Sequence, residues 1–180
     1  MRCFPVLALV LLAGCGIAPY RAQDMSPNAV VLQTPLTQQD DLYDCGLAAI
    51  SALCGYYGVE IPQDERAELA QVAASHEGLS GAELRAALER LGMEVYLFEG
   101  RLKEGATSLQ TNIVARRPML VMTEMGGSHH YSLVVGFDPD REVVVLLDPE
   151  LGLLTMDFPL FERDWSRTGR FTLLAVPRKT

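Results

Sequence analysis

The chain has 180 residues and carries 23 acidic against 15 basic side chains, a formal charge of −8. That excess argues against a nucleic-acid partner and against a basic face for membrane binding. Nearly half of the residues are apolar (49%) and there are only 4 cysteines, so one domain with a real core is expected, and no disulfide framework.

Residues 1–14 have the form of a signal peptide. Arg2 supplies a short positive region, and Phe4 to Ala13 is apolar but too short to cross a bilayer as a helix. Leu12-Ala13-Gly14-Cys15 resembles the lipobox of bacterial lipoproteins. The resemblance implies cleavage before Cys15 and lipidation of Cys15, with several acyl chains giving the stable membrane anchor that one chain does not. Gly16 after that cysteine is similar to lipoproteins sorted to the outer membrane, which implies an exported protein held there and facing the periplasm. Residues 15–35 hold Pro19, Ser26, Pro27, Asn28 and Pro35 and show no periodicity, so they read as a tether. The folded domain is expected over 36–180. Cys3 leaves with the signal peptide and Cys15 carries lipid, so Cys45 and Cys54 remain as reduced thiols. In an exported protein, a retained thiol hints at use.

The run from Gln39 to Ile50 sets a cysteine at the start of an apolar helix. Asp44 has a good N-cap side chain, Leu47, Ile50, Cys54 and Tyr57 recur at helical spacing, and Gly58 is a natural stop. Cys45 would then lie in the first turn, where unpaired N–H groups and the helix dipole favour a thiolate. Gly46 beside it would let a substrate carbonyl approach. From this stretch alone a buried structural cysteine fits equally well. Cys54 reads as core. Nine residues along a helix is about 13 Å, too far for a Cys45–Cys54 disulfide.

A second helix opens after Ile61-Pro62, with Leu69, Val72 and Ala73 as its apolar stripe. Ser80-Gly-Ala-Glu83 is a capping box for a third, with Leu84, Leu88 and Leu91 on one face and Gly92 as its end. Met93 to Phe98 reads as a strand and Ser108 to Ala115 as a short helix. Strand-length apolar runs then follow at 119–123, 131–137, 142–147, 153–158 and 170–176, with turn chemistry at Asp138-Pro-Asp-Arg141. Helices followed by a mostly antiparallel sheet make an α+β fold, with an N-terminal helical lobe packed on the sheet.

Pairing outward from the turn at Asp138 to Arg141 places His130 opposite Asp148 or Pro149. With an odd loop or a bulge, His130 and Asp148 share a face. The carboxylate would then orient the imidazole, which in turn would take the proton of Cys45. His129 points the other way on a strand, but Gly126-Gly127 before it would permit a mobile loop, so it stays a competitor. His76, at a helix end, reads as a dipole partner. His76, His129 and His130 have no helical metal-ligand spacing, so neither metal nor cofactor is expected. A glutamine N–H together with the Cys45 backbone N–H could hold an oxyanion. Gln38 and Gln39 both stand near enough.

Gln39, Asp41, Asp44, Cys45, Gly46 and Ala48, as spaced, resemble the motif of the C39 family of papain-like cysteine peptidases. Tyr56-Tyr57-Gly58, Gly78-Leu79-Ser80, Leu91-Gly92, His130-Tyr131 with Val134-Val135-Gly136, Leu147-Asp148-Pro149 with Gly152, and Phe161 with Trp165 follow in the family's order. The resemblance covers residues 34–177. It implies a papain-like fold with Cys45 as nucleophile, His130 as base, Asp148 as its orienter and Gln39, rather than Gln38, as the oxyanion donor. The best-known members are domains of export transporters that cut leader peptides after a double glycine. No transporter segment is seen here, and the chain looks closer to stand-alone C39-like lipoproteins. The expected function is a cysteine peptidase acting on an exported peptide or protein. The alternatives are a silent C39-like module that binds peptide and, with less support, a papain-like cell-wall hydrolase. The hydrolase pattern has Ser or Thr between the cysteine and the glycine, whereas Gly46 follows Cys45 directly.

Overall fold

From Met93 onward, β-branched and apolar runs are separated by glycine and aspartate turns, and they pair into one antiparallel sheet. The structure is a computed structural model that describes residues 16–36 and 45–178. Its strands are β1 (Ile17–Pro19), β2 (Val30–Val31), β3 (Met93–Glu99), β4 (Met119–Met125), β5 (Ser128–Asp138), β6 (Val143–Asp148), β7 (Gly152–Asp157) and β8 (Phe171–Pro177). They lie in the order β1-β7-β6-β5-β4-β8-β3, and β2 continues along β5 where β4 leaves it. The helices are α1 (Cys45–Tyr57), α2 (Gln63–His76), α3 (Gly81–Arg90), α4 (Leu109–Val114) and α5 (Phe158–Ser166). The expected α+β arrangement is present.

α1 is buried without a break from Gly46 to Cys54, which makes it a central helix rather than one with a single apolar stripe. It packs on β5 and β4 and is covered by α2 and α3. The Ser80–Glu83 capping box forms as read, with the Glu83 N–H donating to Ser80 Oγ and the Ser80 N–H to Glu83 Oε2. Gly126 and Gly127 make a two-residue hairpin turn with φ of 60° and 87°, followed at once by the Met125–Ser128 pair. The mobile loop that would have kept His129 in contention is therefore a tight turn that fixes the register of β5.

Two expectations are corrected. Residues 16–35 are not a free tether. β1 pairs with β7 through Ile17–Met156, Leu32 is buried, and both the backbone N–H and the hydroxyl of Ser26 donate to the buried Asp138 carboxylate at 2.7 Å. The apolar residues of this stretch stand singly between turn formers, so no period shows, yet each finds the sheet. β1 also covers the edge that β7 would otherwise expose. Residue Cys15 and the signal-peptide expectation for 1–14 lie outside the described residues. Second, Phe158–Ser166 is a helix where only the end of a strand was expected. Phe158, Phe161 and Trp165 recur on its buried side, Pro159 opens its first turn, and the Trp165 indole N–H donates to the Phe171 carbonyl at 3.0 Å.

The β5–β6 register decides the site. Near the turn Gly136 faces Val145, and beyond it Val134 faces Leu146, so Val135 is the extra residue of a bulge. Leu133 then faces Leu147, and Asp148 comes level with Ser132, on the same face of β5 as His130. Without the bulge Asp148 would stand level with Leu133, on the opposite face from the imidazole. Gly136 sits here because a Cβ would lie 2.8 Å from Val145 Cβ and 3.0 Å from the Val30 carbonyl.

Candidate active site

Cys45 is the first residue of α1, half-buried, against β5. Sequence offered Gly46 as room for a substrate carbonyl, and the structure corrects this. Its missing Cβ faces Leu79, Leu84 and the Tyr131 ring at 3.3–3.5 Å, so this glycine lets the helix end seat on the core.

His130 reaches across from β5. Its Nε2 is 2.8 Å from Asp148 Oδ2, which leaves its other ring nitrogen for the Cys45 thiol, close enough for each group to shift the other's titration. Asp148 is 2% exposed and its carboxylate is fully used. Oδ1 accepts the N–H groups of Glu150 (2.9 Å) and Leu151 (3.0 Å) in the turn after β6. Oδ2 accepts His130 and the Ser132 hydroxyl, each at 2.8 Å.

The electrostatics follow from these contacts. Burial works against charge on Asp148, but the His130 hydrogen bond and charge, with the Leu151 and Ser132 donors, outweigh it and bring the carboxyl down to about 2. Burial likewise disfavours a charged His130, while Asp148 and Cys45 raise it to about 10. For Cys45, burial pushes the thiol up. The His130 hydrogen bond and charge and the backbone N–H groups of Tyr131 and Gly46 carry it below its ordinary value. The arrangement holds a thiolate–imidazolium pair backed by a carboxylate. Cys54, by contrast, is fully buried in α1 and pushed up to about 11 by burial.

Beside the sulfur runs an open cleft. One wall is residues 76–83 at the junction of α2 and α3, and the other carries Met122, Ser128 and His129 of the β4–β5 hairpin. Its floor is Tyr131 and Phe171, whose rings meet edge-on at 5.8 Å. His129 is exposed on this cleft and does not meet Asp148. His76 is 2.8 Å from Glu83, the capping-box carboxylate, as well as standing at a helix C-terminus. Among the described residues no group of three or more His, Cys, Asp or Glu could hold a metal ion.

The structure thus brings Cys45, His130 and Asp148 together. Gln39, with Gln38, Asp41 and Asp44, lies outside the described residues. Sequence reading missed Ser132. The available signal was a small hydroxyl two residues beyond the histidine, hence on its face of the strand, inside an otherwise apolar run.

The model of the Peptidase C39 family matches residues 33–179. An uncharacterized protein of Methanothermobacter thermautotrophicus is 27% identical over 142 residues, 79% of this chain and 89% of its own length. Among solved structures, the double glycine motif protease of an AMS/PCAT transporter, solved with its leader peptide, superposes with a TM-score of 0.65 at 19% identity, covering 83% of this chain and 95% of that one. The peptidase domain of Streptococcus ComA, a bi-functional ABC transporter of a quorum-sensing pathway, does so with a TM-score of 0.61 at 17% identity, over 82% and 99% of the two chains. At these identities the likeness to the two structures establishes a shared fold.

Proposed function

The chain belongs to the Peptidase C39 family, and from that premise we propose that it is a cysteine endopeptidase working through Cys45, His130 and Asp148. The Cys45 thiolate attacks the carbonyl carbon of a peptide bond, and the carbonyl π pair moves to oxygen. As the tetrahedral intermediate collapses, the C–N bond breaks and the imidazolium of His130 gives its proton to the leaving amine. A thioester on Cys45 remains. Water gives a proton to the now neutral imidazole and attacks the thioester, and collapse of the second tetrahedral intermediate releases the acid and the Cys45 thiolate, restoring the pair with the imidazolium. Asp148 holds the ring in line and balances its charge in both halves of the cycle. Gln39 and the N–H of Cys45 are the proposed oxyanion donors.

The observation that carries this reading is the 2.8 Å His130–Asp148 pair with the Cys45 thiol set against the imidazole at the head of α1, in a family of peptidases. The proposed substrate is an exported peptide or protein that lies extended in the cleft over Tyr131 and Phe171. The leader-peptide complex of the similar transporter protease supports a peptide ligand. We further propose that Cys15 is lipidated and holds the enzyme at the outer membrane. With β1 beginning at Ile17, the anchor would stand close against the domain.

The test is cleavage of a peptide library that includes leader sequences ending in a double glycine, read by mass spectrometry, with Cys45→Ala as the control. Cleavage lost in the variant is expected. Peptides bound but left intact by a protein whose Cys45 is reactive would overturn the endopeptidase assignment. Mass analysis of the N-terminal peptide from membranes tests the lipid.

A further inference from the structure

Asp148 has four donors, and three of them come from the expected places: the imidazole and two N–H groups of its own turn. The fourth, the Ser132 hydroxyl, comes from the strand that carries His130 and ends on the same oxygen, Oδ2, that the imidazole uses. Ser132 is 1% exposed, in a run of β5 whose other residues from Tyr131 to Phe137 are apolar or glycine. A lone hydroxyl buried in such a run is out of place unless its hydrogen bond matters.

We propose that Ser132 is a positioning residue of the active site, which keeps Asp148 Oδ2 turned to His130 and limits how strongly that oxygen holds the imidazolium proton. The inference rests on the peptidase reading only for its consequence. Its physical content concerns His130 itself. Oδ1 is tied by the turn, so the carboxylate plane is already set in part. Ser132 completes the coordination of Oδ2 and shares its charge. An imidazolium that must release its proton to a leaving amine works better when its counter-ion is so moderated. Facing His130 are Cys45 from α1 and Asp148 from β6, while the residue across from it on β4 is Thr123, which does not titrate. Ser132 is thus the uncharged group placed to tune the pair.

The experiment follows the His130 ring by NMR of selectively labelled histidine against pH in the full-length protein, together with Cys45 alkylation, and needs no substrate. In Ser132→Ala the deprotonation of His130 should move up by about half a pH unit. In an Asp148→Asn background the same change should add no shift, since its route is gone. Ser132→Cys, nearly isosteric with a weak donor, should fall between, and it carries the comparison if the alanine variant does not fold. An unchanged or lowered His130 titration overturns the proposal. So does an equal shift in the Asp148→Asn background, which would mark Ser132 as packing. Failure of the peptidase reading would show differently, as a normal Ser132 effect in a protein that cleaves no peptide.

Discussion

Replacing His130 by alanine should disarm Cys45, and the size of the loss follows from the contacts. Burial is the largest influence on the thiol and opposes the thiolate; the His130 hydrogen bond is the largest influence favouring it. Removing the imidazole leaves burial opposed by the N–H groups of Tyr131 and Gly46, so the thiol should titrate at or above the free-cysteine value of about 8.5. Such a thiol is only about 0.3% ionised at pH 6, and each unit of pKa below that is worth about tenfold in thiolate. The assay is the rate of iodoacetamide labelling against pH, resolved by peptide mapping. Cys54, pushed up to about 11, serves as a silent internal control. The wild type should label at pH 6 more than about tenfold faster than His130→Ala, and His129→Ala should match the wild type. Rates at pH 6 within about twofold of each other, well short of one pKa unit, would refute the thiolate–imidazolium pair.

Asp148 titrates at about 2, below its ordinary 3.8, so its contribution to folding is present above about pH 4 and lost as the pH falls toward 2. For this buried group that is about 2 kcal/mol. The urea midpoint should fall over that window in the wild type, and Asp148→Asn should reduce the dependence by its share, while the buried Asp138, held below its ordinary value by its Ser26 and turn donors, keeps the rest. At the other end, His130 is raised to about 10, so the stability tied to its charge is complete below about pH 6.5 and fades as the pH rises toward 10. Gly136→Ala would push a Cβ to 2.8 Å from that of Val145, which should cost about 1–3 kcal/mol and lower the melting temperature. Unchanged melting would mean that the bulge can relax. A chain begun at Gln23 loses β1 and the Tyr20 N–H bond to the Leu153 carbonyl, and should melt lower by about 2–4 °C for each kcal/mol lost, whereas a true tether could be cut without effect.

Local chemistry made much of this protein legible before its structure. The capping box at Ser80–Glu83, the first turn of α1 at Cys45 and the turn residues from Asp138 to Arg141 each work within a few residues, so their outcome is written in adjacent positions. The strands were legible by their apolar runs, and the pairing of His130 with Asp148 could be set up as a condition on the hairpin. What adjacent residues could not reveal was whether that condition is met. The bulge at Val135 sits beside Gly136, where β2, from near the start of the chain, and β6 both meet β5 and leave no room for a Cβ. The same holds for residues 16–36, whose scattered apolar side chains carry no period and acquire a place only when the sheet is there to receive them. It holds for Gly46, which sequence offered as open space and tertiary packing closes with Leu79, Leu84 and Tyr131, and for Ser132, whose hydroxyl has meaning only once Asp148 stands level with it. Sequence by itself determined most of the elements from α1 to β8, though not α5, and the chemical kinds of the site residues, because propensity, capping and turn geometry act over one or two turns of chain. The face each residue presents, and so which groups meet, was left to the tertiary structure, because a one-residue change of register inverts a strand and only contacts between distant segments choose between the two.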